Sequence, residues 1–240
     1  MVRVTGRDEA MLEWLGVVRL ADIEGIRWAL SGLSEVESEG PLARRKAQLW
    51  VTRMARAGLI GRGRPTFSGG SVVWPTPQPG SRAPDLFRQT TRHEVTVAQT
   101  AGRFLTRGYR WGRDRRPVSL QDHQGDGVAV RDDGVVDLVE VELSPKTPLR
   151  YRGIFASHGD RLTRGGITRV VYLCTPEAGR VLLREADANL FRDVRPRVVV
   201  LPVFDARGQW TGPDDAPWAE HLMGPAPTEL SVPDVWEGIA

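Results

Sequence analysis

Apolar residues recur at helical spacing three times near the start of the chain. Residues 7–15 show the pattern first, and residues 19–30 repeat it with Leu20, Ile23 and Trp28 or Ala29 facing inward. An acidic stretch over 34–40 reads as a loop. Pro41 suits a first helical turn, and the third helix it opens runs to about Ala57, where Gly58 stops it. On that helix Ala43, Ala47, Trp50, Val51 and Met54 share one face. Arg45, Lys46, Thr52, Arg53 and Arg56 share the other, with Leu49 out of pattern. Leu59-Ile60 and Ser71-Val72-Val73-Trp74-Pro75 then read as two short strands. Gly61-Arg62-Gly63-Arg64-Pro65 lies between them as a basic turn.

Four prolines within residues 75–84 predict an extended spacer. Beyond it the pattern switches between helical and strand periods. Residues 91–105 predict a helix. Residues 126–130 and 135–143 predict a hairpin turning at Asp132-Asp133-Gly134. Thr147-Pro148 opens a helix through about Ser157. A strand over 167–173, a helix over 176–189 and a strand over 197–203 complete the run. Alternating strands and helices predict an α/β sheet with helices on its faces. The expected organisation is a first domain over 1–78, a linker over 79–88, a second domain over 89–205 and a tail over 206–240, to which no role is assigned.

Composition narrows the function classes. No run of 18 apolar residues predicts a membrane span, and the first ten residues lack an apolar export core, so a cytoplasmic protein is expected. The single Cys174 excludes an internal disulfide and a cysteine-rich zinc site; it lies in an apolar strand and reads as a small buried hydrophobe. Net charge is only +3, but residues 1–120 carry +9 and residues 121–240 carry −6. A basic half suits a polyanion, whereas an acidic half meeting the same polyanion needs a cation at the contact.

Three helices followed by a basic hairpin look like a winged helix-turn-helix. A helix of this width fits the major groove, and its basic face can meet phosphates and base edges. Arg45, Lys46, Arg53 and Arg56 on the helix, with Arg62 and Arg64 on the wing, are the expected DNA contacts. A solvated basic helix in a protein-binding module is the simpler alternative.

Only two lysines stand among thirty-one arginines, and one of them, Lys146, follows Glu140-Val141-Glu142-Leu143-Ser144-Pro145. Side chains alternate along a strand, so Glu140 and Glu142 share a face, and the hairpin can bring Asp126 to it. Carboxylates beside a lysine suit a hard divalent cation and a phosphodiester. The same acids would also suit the wet face of an edge strand, with Lys146 as their surface partner. The four histidines, His93, His123, His158 and His221, show no zinc-ligand spacing along the chain. No phosphate-binding Gly-Lys loop and no nucleophile elbow is present.

Asp126, Glu140-Val141-Glu142 and Lys146 resemble the PD-(D/E)xK restriction-endonuclease-like core. Together with the winged helix, the His93 helix and the segment through Tyr151, the chain resembles replication-relaxation proteins of actinobacterial plasmids, phages and integrative elements. The resemblance spans roughly residues 5–205. It implies a winged helix-turn-helix joined to an α/β nuclease-like domain with a mixed sheet. It also implies Asp126 and Glu140 as metal ligands, Glu142 and Lys146 as catalytic groups, and His93 and Tyr151 as supporting groups. Mg²⁺ or Mn²⁺ would be the cofactor. Double-stranded DNA would be the partner, with a second copy of the chain or replication and conjugation proteins as further candidates, and no membrane. Two departures stand out. Gly125 replaces the usual proline before the first acid, and Glu142 occupies the usual lysine position, so Lys146 must be turned back by Ser144-Pro145. The expectation is a DNA-binding protein that acts in DNA replication or relaxation, as a metal-dependent nicking or cleaving nuclease. A non-enzymatic DNA-binding factor with a silent nuclease fold is the rival, and a protein-interaction module the third reading.

Overall fold

The computed structural model describes residues 3–34, 40–65, 70–76, 83–88, 90–119 and 122–213. The middle of the proline-rich spacer, the tip of the basic turn and most of the C-terminal tail lie outside them. The chain divides into two compact units, Met1–Trp111 and Gly112–Ala240.

In the first unit, α1 (Gly6–Val18) begins at a reciprocal cap. The Asp8 amide donates to Thr5 Oγ1, and the Thr5 amide donates to the Asp8 carboxylate. A short strand β1 (Ala21–Asp22) precedes α2 (Ile23–Gly32). The second helix therefore starts later than its periodicity suggests, because Asp22 caps it by accepting from the Gly25 amide at 2.9 Å. The third helix, α3 (Arg44–Arg56), starts after Pro41 rather than at it. The Leu42 amide donates to Arg27 O and Arg27 Nε donates to Leu42 O, which binds the approach segment to α2 in a non-helical path. Ala47, Trp50, Val51 and Met54 are buried as the pattern predicts, Ala43 is exposed because it precedes the helix as its N-cap, and Leu49 is 60% exposed. Strands β2 (Ile60–Gly63) and β3 (Val72–Pro75) pair antiparallel, and β1 joins β3 on its other side.

Helix α4 (Thr90–Leu105) completes this unit by lying along α2. Glycines make the approach close: a Cβ at Gly32 would sit 2.5 Å from the Leu105 carbonyl carbon, and one at Gly102 would sit 2.7 Å from Trp28 Cβ. Arg103 stacks over the Trp28 ring at 4.5 Å. The compact units thus part after Trp111 rather than in the proline-rich spacer. Composition pointed to the spacer, but the apolar face of α4 has its partner on α2.

A mixed five-stranded sheet follows. Its strands, in spatial order, are β4 (Arg110–Gly112), which straddles the division, and β5 (Gly127–Val130), β6 (Val136–Glu142), β7 (Arg169–Cys174) and β8 (Val198–Pro202) of the second unit. β5 and β6 form the expected antiparallel hairpin; β6, β7 and β8 run parallel. Helices α5 (Pro148–Arg164) and α6 (Pro176–Asn189) make the crossovers, each begun by a threonine cap with proline in the first turn. The α/β class read from the sequence is what the chain adopts. α5 runs about two turns further than its periodicity suggested. Arg197 holds the connection after it, donating to Leu162 O, Ile167 O and Thr168 O at 2.6–2.8 Å.

Val136 and Leu138 of β6 join the core under α5 and α6 with Tyr151, Phe155, Val170 and Tyr172. The next residues on that face are Glu140 and Glu142. β6 is the middle strand and all seven of its residues are buried, so the edge-strand reading of these acids does not hold. On the opposite face, the fully buried Asp137 is met by Arg169 through two bonds of 2.8 and 3.0 Å.

Candidate metal centre

Glu140 stands where three elements meet. Strand β6 carries it inward beside its register partner Tyr172 on β7. Helix α5 presents His158 on the same apolar stripe as Tyr151 and Phe155. The loop before β5 supplies His123 and is clamped to α5 at two points. Asp114, buried, receives two bonds of 2.8 Å from Arg161 and one of 2.7 Å from the Gly125 amide. Ser157 accepts from the His123 amide at 3.0 Å and donates to Asp122 at 3.2 Å.

The departure at Gly125 has a cause in this clamp. A proline there has no amide hydrogen to give Asp114. A side chain there would also meet Leu138 Cδ1 at 2.5 Å.

His123 Nε2 and His158 Nε2 lie 2.9 and 3.2 Å from Glu140 Oε1. Neither approach is aligned as a hydrogen bond, and all three atoms are buried without a directed partner. One ligand atom from each residue lies within 4.8 Å of the other two, so the group can hold a metal ion. Buried polar atoms left in this state cost stability unless something satisfies them, and a cation would satisfy all three. The Tyr172 hydroxyl bonds His158 Nδ1 at 3.1 Å and fixes the ring.

Charge suits this at Glu140 and His158, whereas His123 must give up its proton to an ion. Burial opposes ionisation of Glu140, but the two imidazoles outweigh it and hold the carboxyl below its usual range. Burial pushes His158 down despite Glu140, which favours the neutral form that binds metals. His123 also loses hydration, but Glu140 and then Asp126 raise it above its ordinary value.

The sequence-predicted residues distribute as follows. Glu140 is at the centre. Glu142 is buried one step along the face, and Lys146 Nζ contacts its carboxylate, so the chain does turn back after Ser144-Pro145. Burial pushes the Lys146 amine down, and the fields of Glu140 and Asp126 oppose that shift. Tyr151 is fully buried and its hydroxyl accepts from the Lys146 amide at 3.1 Å. Asp126 is within electrostatic reach of His123 and Lys146, but its Oδ2 accepts from the Val141 amide at 2.7 Å, and it is not among the three converging groups. His93 lies on α4 in the first unit.

His123 and His158 went unrecognised because 35 positions separate them along the chain. One signal was present: His158 interrupts the apolar stripe of α5, where a polar ring needs a reason.

In the first unit, Arg45, Lys46 and Arg56 are exposed on α3; Arg62 is exposed on β2, which runs further than expected, and Arg64 is exposed just beyond it. Arg53 differs. Its guanidinium grips the fully buried Asp8 through both nitrogens, with Trp50 Nε1 donating to the same carboxylate at 3.0 Å. Arg53 is a strut between α1 and α3, which a count of basic residues on a helical face could not reveal.

No protein-family model, curated protein or solved structure matches this chain.

Proposed function

We propose that the chain is a DNA-binding protein that hydrolyses phosphodiester bonds with a divalent ion held at Glu140, His123 and His158. The convergence of these three buried, undirected ligand atoms beside Lys146 carries the reading. Support for the fold comes from element order. In the first unit, α1-β1-α2-α3-β2-β3 with β1 beside β3 suits a winged helix-turn-helix. Afterwards an antiparallel hairpin, a helix and a parallel strand, with Asp126 just before β5 and Glu140 and Glu142 on β6, suit a PD-(D/E)xK-like core.

When bound, the ion neutralises the scissile phosphate and lowers the pKa of a bound water. The protein's own groups do the remaining work. Lys146 places an ammonium where charge develops on the phosphate oxygens. Glu142 and the Tyr151 hydroxyl hold that lysine by its amine and its backbone. Arg45, Lys46, Arg56, Arg62 and Arg64 supply the phosphate contacts that retain the duplex.

The test separates binding from chemistry. Lys146→Ala is expected to bind a DNA duplex with wild-type affinity and to lose cleavage of it. Cleavage retained in this variant would refute the assignment. Binding with no cleavage by the wild type under any divalent ion would leave the silent-fold reading in its place.

A further inference from the structure

We infer that the centre at His123, Glu140 and His158 selects a first-row transition ion of the Mn²⁺ to Zn²⁺ series over Mg²⁺, with Zn²⁺ bound more tightly than Mn²⁺. The inference rests on the reading of this site as a metal centre and adds the class of ion.

The donor set carries it. Two of the three converging atoms are imidazole nitrogens and one is a carboxylate oxygen. Imidazole suits zinc, iron and nickel, whereas magnesium favours oxygen ligands and keeps several waters. His158 is fully buried and Glu140 is 5% exposed, so the inner side of the site is shielded from bulk water. Zinc–nitrogen and zinc–oxygen bonds of roughly 2.0–2.2 Å put adjacent ligand atoms of a tetrahedron about 3.3–3.6 Å apart. The 2.9 and 3.2 Å separations found here fall short of that spacing, so the ligands must spread slightly around an ion.

The surroundings agree with the donors. Tyr172 Oη and His158 Nδ1 are paired at 3.1 Å. In the tautomer with the proton on Nδ1, His158 Nε2 turns a lone pair to Glu140 Oε1 at 3.2 Å, and a cation against both relieves their repulsion. Tyr172 is thereby a positioning residue for the ion, of the kind whose loss typically weakens metal binding by about 10–100-fold.

The experiment is calorimetric titration of the full chain, stripped with chelator and free of DNA, with Zn²⁺, Mn²⁺ and Mg²⁺ separately. Wild type is run beside His123→Gln and Tyr172→Phe. His123 is the most accessible of the three ligands, so its replacement disturbs packing least. The expected result is one Zn²⁺ per chain, with Mn²⁺ weaker and Mg²⁺ roughly 100-fold or more weaker than Zn²⁺. Each variant should lose at least about tenfold in Zn²⁺ affinity. Circular dichroism of each variant confirms that it is folded. Mg²⁺ binding as tightly as Zn²⁺ would overturn the inference. So would Zn²⁺ affinity unchanged in His123→Gln. Binding of none of the three ions would overturn it together with the metal-centre reading. Zn²⁺ binding as expected, with no DNA cleavage, would support it while refuting the hydrolase.

Discussion

Arg53→Ala separates a structural arginine from the DNA-facing ones. Asp8 is fully buried, and Arg53 supplies its only charged partner among the hydrogen bonds of that cluster. Removing one member of a buried ion pair costs about 3–5 kcal/mol. Two features reduce the figure here. The Arg53 side chain is 37% exposed, and Thr5 and Trp50 still donate to Asp8 afterwards. A loss of about 2–3 kcal/mol is therefore expected, or roughly 10–20 °C in the melting of the first unit. Arg45→Ala, on the exposed side of α3, should change stability by no more than about 0.5 kcal/mol. Urea and thermal unfolding followed by circular dichroism and tryptophan fluorescence would measure both. An Arg53→Ala variant as stable as Arg45→Ala would refute the strut. The pH dependence has a definite sign. Burial opposes ionisation of Asp8, but Arg53 and Thr5 outweigh it and hold the carboxyl well below its usual range. A depressed folded-state pKa contributes stability above the unfolded value, and that stability fades as pH falls towards the folded value. Wild type should lose stability below about pH 4 with a steeper acid limb than Asp8→Asn.

Other outcomes follow from the same geometry. Arg45→Ala with Arg56→Ala should weaken duplex binding without unfolding the chain, and should flatten the plot of log affinity against log salt by about 0.9 for each phosphate no longer neutralised; unchanged affinity and slope would favour a protein-binding module. Gly125→Pro should destabilise the second unit by about 2–4 kcal/mol through the missing bond to Asp114 and the clash with Leu138, read by chemical denaturation. Cys174 is buried, and burial pushes its thiol up to about 12, so it should resist alkylation at neutral pH until the protein unfolds; rapid native labelling would contradict its burial.

Much of the fold was legible because the signals were local. Thr147-Pro148 announced its helix, and Asp132-Asp133-Gly134 announced the hairpin. The alternation along β6 put Glu140 and Glu142 on one face, and Ser144-Pro145 made the return of Lys146 intelligible. What escaped depended on distant partners. The role of Arg53 is set by Asp8, 45 residues earlier, and cannot be read from α3 alone. The place of α4 is set by glycines that let it approach α2, against the compositional pull of the prolines. The two imidazoles reach Glu140 through a clamp involving Asp114, Arg161 and Ser157, none of which carries a motif.

Conversion of supercoiled plasmid tests the central claim most directly. Wild type and Glu140→Gln, both verified as folded, are incubated with Mn²⁺, Zn²⁺ or Mg²⁺ and with chelator. The account predicts nicked or linear product from wild type only when an ion is present, and none from Glu140→Gln. Cleavage in chelator, or equal cleavage by Glu140→Gln, would contradict a metal-dependent site at Glu140.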